Sequence, residues 1–281
     1  MFKSAFLAVA ALLLTASPAH AWWDYGHETV AEIAYRNVTP KTRAAMDALL
    51  RQGARLGTPE CPVTNVRQAS TWPDCIKALG QKFRHTGPWH YQNVDVCQPF
   101  DLAAACVDGN CVSAQITQQE KQLADRRTPM AERVAALAYL IHFVGDLHMP
   151  LHAGDRADRG GNDVKTAYGD AYNRRMNLHS VWDGYLAERA ISTPPALVRR
   201  YTPAQSKALA AGSVEDWSRE NWAVSRDAAY ATALGGDACA PKPEGPVTLS
   251  NPTIETLVPP IRQQIERGGA RLARLLDKAL G

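Results

Sequence analysis

The chain has 281 residues, with 31 basic against 28 acidic side chains and a formal charge of +3, so charge alone does not nominate a nucleic-acid binder. That length suffices for one large domain with a substantial core, and no Ser/Gly linker, charge block or repeat marks a boundary. No stretch after the first residues approaches the ~20 apolar residues of a permanent membrane span.

In chain order, residues 1–21 read as a secretory signal peptide. They carry one early lysine, an apolar run from Ala5 to Leu14, and small residues Ala19 and Ala21 at the positions a signal peptidase reads. Their removal takes away Lys3 and no acid, lowering the charge from +3 to +2. The mature domain is then 22–281, soluble, and either secreted or periplasmic.

Beyond the signal, strand signals are scarce and apolar residues recur at helical spacing, which predicts an all-α fold in a single compact multi-helix domain. Helices are predicted at 27–37, at 40–50 behind a Thr39 cap with Pro40 at the first helical position, and at 113–125. The strongest pattern is 129–147, apolar almost all round and stopped by Pro150, which predicts the central buried helix. Further helices are predicted at 178–190, 213–231 and 253–280. The stretches 53–111 and 153–177, rich in Gly, Pro, Asn, Asp and Cys, read as long ordered loops.

All six cysteines fall in the mature part. In an exported protein an even number without a CxxC pair favours disulfides over thiolate metal sites. The connectivity is open in principle. Close spacing favours Cys61 with Cys75 and Cys106 with Cys111 as loop staples, leaving Cys97 with Cys239.

Three of the eight histidines crowd into "IHFVGDLHMPLH", residues 141–152. His142 and Asp146 are four apart on the central helix, so both leave the same face and could bind one ion. "NLHSVWD" repeats the spacing with His179 and Asp183, and His152 sits where the end of the central helix could offer it to that second pair. A single such pair could equally be a buried histidine held by a helical neighbour. Two pairs, with Asp74 in "STWPDC" and His90 in "PWHYQNV", favour a metal centre. Imidazole and carboxylate without thiolate suit hydrolytic zinc.

Together "WWDYGH", "WPD", "WHY", "IHFVGDLHMPLHAG", "RGGND" and "NLHSVWD" closely resemble the secreted zinc-dependent single-strand nucleases of the mung bean and S1/P1 type, which share a fold with bacterial zinc phospholipase C. The resemblance runs in order over essentially the whole mature chain. It implies three Zn2+ ions: one on Asp74, His90, His142 and Asp146, one on His27 and the freed amine and carbonyl of Trp22 with Asp146 as a bridge, and one on His152, His179 and Asp183. The remaining histidines His148 and His85 are expected to be structural.

The resemblance also implies a zinc-activated water attacking phosphorus in line, cleavage of single-stranded DNA and RNA to 5′-phosphate products, and activity on 3′-nucleotides, in a monomer without a stable protein partner. Tyr91 matches the aromatic residue that stacks the base, and Asn93 stands where the fungal enzymes have an acidic base-reading group. Asp95, five residues after His90, is expected to orient the nucleophile, or else to be a solvent-exposed loop aspartate. Gly184 departs from the Asn expected after the last ligand, so a substitute phosphate donor is expected in Asn162 or a loop arginine. Zinc phospholipase C is the rival enzyme, but its N-terminal Trp and next His lie further apart and its last carboxylate is Glu. An inert zinc-binding protein would have no use for a third, solvent-accessible ion.

Overall fold

The computed structural model describes residues 22–281, so the signal-peptide reading of residues 1–21 lies outside it. The described chain is helical, with four very short strands, as expected. Its axis is α5 (Met130–Leu147), in which every residue from Ala136 to Leu147 is buried. Pro129 opens this helix, and Glu132 in the first turn complements its dipole. At its end the His148 ring donates to the Val144 carbonyl at 2.7 Å, and Pro150 prevents continuation. Each large apolar side chain fully buried here contributes about 1.5–3 kcal/mol.

Around α5 pack α1 (Asp24–Asn37), α3 (Val66–Cys75), α4 (Val112–Ala124) and the C-terminal α9 (Asn251–Leu280), while α2 (Pro40–Leu50) closes one side. A helical run over 178–192, α6, contains a π-helical segment Val181–Leu186, and a second run over 214–233, α8, contains another at Ser225–Tyr230. Between them lies the short α7 (Pro203–Leu209), opened by a Thr202 capping box. No helix among the described residues is long and apolar enough to cross a membrane.

The structure departs from the sequence reading in three places. The stretch 53–111 is not mainly loop, because it contains α3 and a run of 3-10 turns over Gln81–His90. Asn65 caps α3 by accepting from the Gln68 amide at 3.0 Å, but Pro73 inside its last turn hides the helix from a reading that treats proline as a breaker. The exposed α7 has no buried residue and so no apolar period to find. Two parallel strand pairs also form, Val94–Asp95 with Gly154–Asp155 and Thr166–Tyr168 with Val247–Leu249. The disulfides join Cys61 to Cys75, Cys97 to Cys239 and Cys106 to Cys111, as spacing suggested.

Candidate metal centre

Four elements deliver buried ligand-type side chains to one point. His142 and Asp146 leave the same face of α5, His27 comes from α1, Asp74 from the last turn of α3, and His90 closes the turns that follow it. His90 Nδ1 lies 2.9 Å from Asp146 Oδ2 and 2.9 Å from His142 Nε2, which is itself 3.0 Å from Asp146 Oδ2. Asp74 Oδ1 is 3.6 Å from both histidine nitrogens, and Lys77 pairs with the same carboxylate. His27 stacks on His142 with ring centroids 4.0 Å apart and places Nε2 3.5 Å from Asp146 Oδ1.

These spacings suit a cation. Donor atoms around a tetrahedral zinc lie roughly 3.3 Å apart, given bonds of about 2.0–2.2 Å, and the His90, His142 and Asp146 triangle is close to that. Backbone carbonyls set the tautomers: His142 Nδ1–H donates to Ser70 O at 2.6 Å, His152 Nδ1–H to His90 O at 2.8 Å, and His179 Nδ1–H to Gly160 O at 2.7 Å. Each of these bonds leaves Nε2 with a bare lone pair. Both His27 nitrogens and Asp183 Oδ1 are buried without a hydrogen-bond partner among the described residues, a costly state unless an ion takes them up.

The second grouping joins His152, His179 and Asp183. The His152 and His179 rings stack at 5.1 Å, and His179 Nε2 lies 3.1 Å from Asp183 Oδ2. The groupings communicate, since His152 Nδ1 is 3.3 Å from Asp146 Oδ1. In all, three buried sets of His and Asp are close enough to hold metal: His27, Asp74 and His142; His90, His142 and Asp146; His152, His179 and Asp183.

Electrostatics divides the imidazoles: burial favours neutral His27 and His90, whereas neighbouring carboxylates draw His142 and His179 toward the protonated form. Burial, with help from the neighbouring His142 charge, pushes the His27 pKa down to about 3, and burial pushes His90 to about 4. Burial opposes the charge on Asp146, yet His142 and His90 hold its pKa well below the usual carboxylate range. Burial likewise opposes protonation of His142 and His179, but Asp146 and Asp183 respectively outweigh it and raise both.

Trp22, buried, fixes the start of the described chain here. Its indole N–H donates to Gly145 O at 2.8 Å, one residue before Asp146. Gly145 must be glycine, because a Cβ there would lie 2.7 Å from His27 Nδ1. The next residue, Trp23, donates its amide to Asp183 O at 3.2 Å, and its ring lies where a side chain at Gly184 would go, 2.3 Å from the would-be Cβ. The Asn expected after Asp183 is therefore excluded by the indole of Trp23.

Beside the candidate ligands opens a cleft of about 320 Å³, lined by His90, His152 and His179 together with Tyr91, Asn93 and Asn162. The three residues expected to meet substrate thus share one wall system with three of the candidate ligands. Tyr91 is 40% exposed. Lys77 and Arg159 add positive charge to the same cleft; Lys77 is not singled out from sequence, and Arg159, which opens the "RGGND" stretch, is anticipated there only as an unnamed loop arginine. The three-residue spacing of Lys77 from Asp74 was the available signal for the first; the carbonyl partners of the histidines have no sequence signal at all.

Of the two readings of Asp95, the structure agrees with the solvent-exposed loop aspartate rather than the nucleophile-orienting one, since Asp95 is not among the residues gathered at the cluster. After Tyr91 the backbone turns at Asn93, φ 48°, and pairs Val94–Asp95 with Gly154–Asp155. That pairing turns Val94 inward and leaves Asp95 exposed, its carboxylate accepting from the Cys97 amide at 2.7 Å. Asp95 lines a groove of about 690 Å³ with Phe100 and Asp101, which meets the cleft at Asn93. His148 is structural as expected, buried between Val144 O and Arg271 Nη1. His85 is instead exposed, edge-on to Trp89.

The sequence model of the S1/P1 nuclease family matches residues 22–281. The chain is 30% identical over 295 residues to endonuclease 4 of Arabidopsis thaliana, an alignment covering 97% of this chain and 94% of that protein. It is 24% identical to nuclease P1 of Penicillium citrinum, over 92% of this chain and 98% of that protein. To nuclease S1 of Aspergillus oryzae it is 26% identical, over 64% of this chain and 60% of that one. A family match over the whole described chain, on a fold that gathers buried His and Asp at a cleft, leads to one conclusion: this chain belongs to the S1/P1 nuclease family and is a phosphodiester-hydrolysing nuclease.

Proposed function

We propose that this protein is exported, that processing makes Trp22 its first residue, and that the mature domain, 22–281, acts as a monomeric single-strand endonuclease with three zinc ions. Asp74, His90, His142 and Asp146 would hold the first ion. His27, the Trp22 amine and carbonyl and a shared Asp146 would hold the second, and His152, His179 and Asp183 the third. When bound, zinc would bring the pKa of water toward neutrality and offset negative charge developing on the phosphate and the leaving oxygen.

The chain's own residues supply the rest. Tyr91 stacks a base, and Asn93 reads its edge with an amide that can both donate and accept. Asn162 holds the Arg159 carbonyl with one amide proton, at 2.7 Å, and has a second to donate to a phosphate oxygen. Lys77 stays paired with Asp74 and keeps the cleft positive. Because the ligands are buried and the cleft is narrow, a scissile phosphate reaches them only with its bases unstacked, which supports preference for single strands. The products would carry 5′ phosphates, and 3′-nucleotides would be substrates as well.

The observation that carries this reading is the triangle of His90 Nδ1, His142 Nε2 and Asp146 Oδ2 beside a cleft lined by Tyr91. N-terminal sequencing and metal counting on the secreted protein, with assays on single-stranded DNA and lecithin, test it. Three zinc ions per chain starting at Trp22, and DNA cleavage abolished by chelation, are expected. Lecithin hydrolysis without DNA cleavage would overturn the reading.

A further inference from the structure

The loop over 154–163 does more than carry Asn162. Ala157 and Arg159 both adopt φ 60°, and Gly160 and Gly161 follow at 62° and 80°, a run of left-handed backbone that side-chain-bearing residues enter only when held there. Two carboxylates hold it. Asp155 Oδ1 accepts from the amides of Asp158 at 3.2 Å and Gly160 at 2.8 Å. Asp158, only 6% exposed, accepts from the Gly161 amide at 2.7 Å and from the Tyr230 hydroxyl at 2.6 Å. The same loop holds a ligand, since Gly160 O takes the Nδ1–H of His179.

Arg159 is therefore fixed by locked residues on both sides, and its side chain lines the cleft with Asn162 and His179. Its guanidinium bonds Asp163, Nη2 to Oδ1 at 2.5 Å and Nε to Oδ2 at 3.3 Å. That pair is open to solvent, with the arginine side chain 75% exposed, so a phosphate could take the place of the carboxylate. His152 and His179, by contrast, are buried at the floor. A guanidinium at the rim, above ligands at the floor, is placed for a different phosphate from the one being cleaved.

We propose that Arg159 is a specificity-determining residue that grips the backbone phosphate next to the scissile one, exchanging Asp163 for it. This rests on the nuclease reading above. It makes the enzyme prefer strands over substrates with a single phosphate, and the planar fork of arginine suits it better than lysine would.

The test compares kcat/KM of the zinc-loaded protein on a trinucleotide with two phosphodiesters and on a dinucleoside monophosphate with one. In Arg159→Ala the trinucleotide-to-dinucleoside ratio should fall about tenfold, through KM rather than kcat. The slope of log affinity against log salt for a longer strand should shrink by about 0.7. Arg159→Lys should lie between, and Asp163→Asn, which frees the guanidinium, should leave the ratio at or above that of the wild type. A wild-type ratio in Arg159→Ala, or an equal loss on both substrates, overturns the role of Arg159 while the nuclease reading stands. A wild-type protein that cleaves neither substrate overturns both.

Discussion

His142 and Asp146 stand one turn apart on an α-helix of 18 residues, whereas His152, His179 and Asp183 come from a four-residue turn and a π-widened run tied together by loop 154–163. The first grouping takes its precision from helices packed into the core. The second takes it from loop carbonyls and buried carboxylates, with Gly160 O aiming His179 and Asp158 locking Gly161. Both end with buried His and Asp side chains that could hold metal, so loop construction is no bar to a rigid site if its backbone polar groups are all engaged. It does make the second grouping depend on more residues that bind nothing themselves.

The sharpest way to break the comparison is to remove one ligand from each side. His142→Ala and His179→Ala should each lower DNA cleavage by roughly a thousandfold or more, with bound zinc falling in elemental analysis. The melting temperature should drop further in His142→Ala, because that ring is fully buried on the central helix and bonded to Ser70 O. Equal metal content in wild type and His142→Ala would show that the helical grouping is not a metal site.

Next in size is the brace behind Asp74. Replacing Cys61 and Cys75 by serine opens a loop of 14 residues and should cost about 3 kcal/mol in denaturant unfolding. Because the bridge anchors α3, zinc affinity at the helical grouping should weaken while His152, His179 and Asp183 keep their ion. Uniform loss at both would mean the two are one cooperative unit.

Gly184 tests the loop-built side by overpacking. Gly184→Asn sets a Cβ 2.3 Å from Trp23 and should cost about 2 kcal/mol. The double variant Trp23→Gly with Gly184→Asn should recover about half of that, a coupling a double-mutant cycle measures directly. Purely additive effects would mean that the indole is not what excludes the side chain.

The smallest effect concerns Asp158. Asp158→Ala leaves the Tyr230 hydroxyl and the Gly161 amide unpaired and should cost about 1–2 kcal/mol. Asp158→Asn keeps an acceptor for both. Burial, together with the Asp155 carboxylate, raises the Asp158 pKa above 3.8. A carboxyl raised on folding contributes stability that is full below the unfolded value and fades as pH rises through the folded one. The stability of Asp158→Asn relative to wild type should therefore grow with pH from about 4 upward, and a flat difference in pH-dependent unfolding would contradict that assignment.

Legibility followed the same division. The central helix and the His142 and Asp146 pair were readable because an α-helix converts a spacing of four into a shared face. His179 and Asp183 were readable by the same spacing, although the helix there widens into a π turn. Asp74 was picked out as a residue, but its helix was not, since Pro73 masks it. Asp95 stayed open between two readings because five residues along an irregular segment do not determine direction; the turn at Asn93 and a two-residue strand pairing do.

The amino-acid sequence by itself determined the helical class, the cysteine staples and the ligand types, because periodicity, local spacing and side-chain chemistry are properties of short stretches. Which residues meet was decided only by tertiary structure. Trp22 reaches Gly145 across more than a hundred residues, Trp23 fills the space left at Gly184, and a left-handed loop carries Arg159 into the cleft. Those contacts are set by packing and backbone hydrogen bonds between distant segments, which no local pattern encodes.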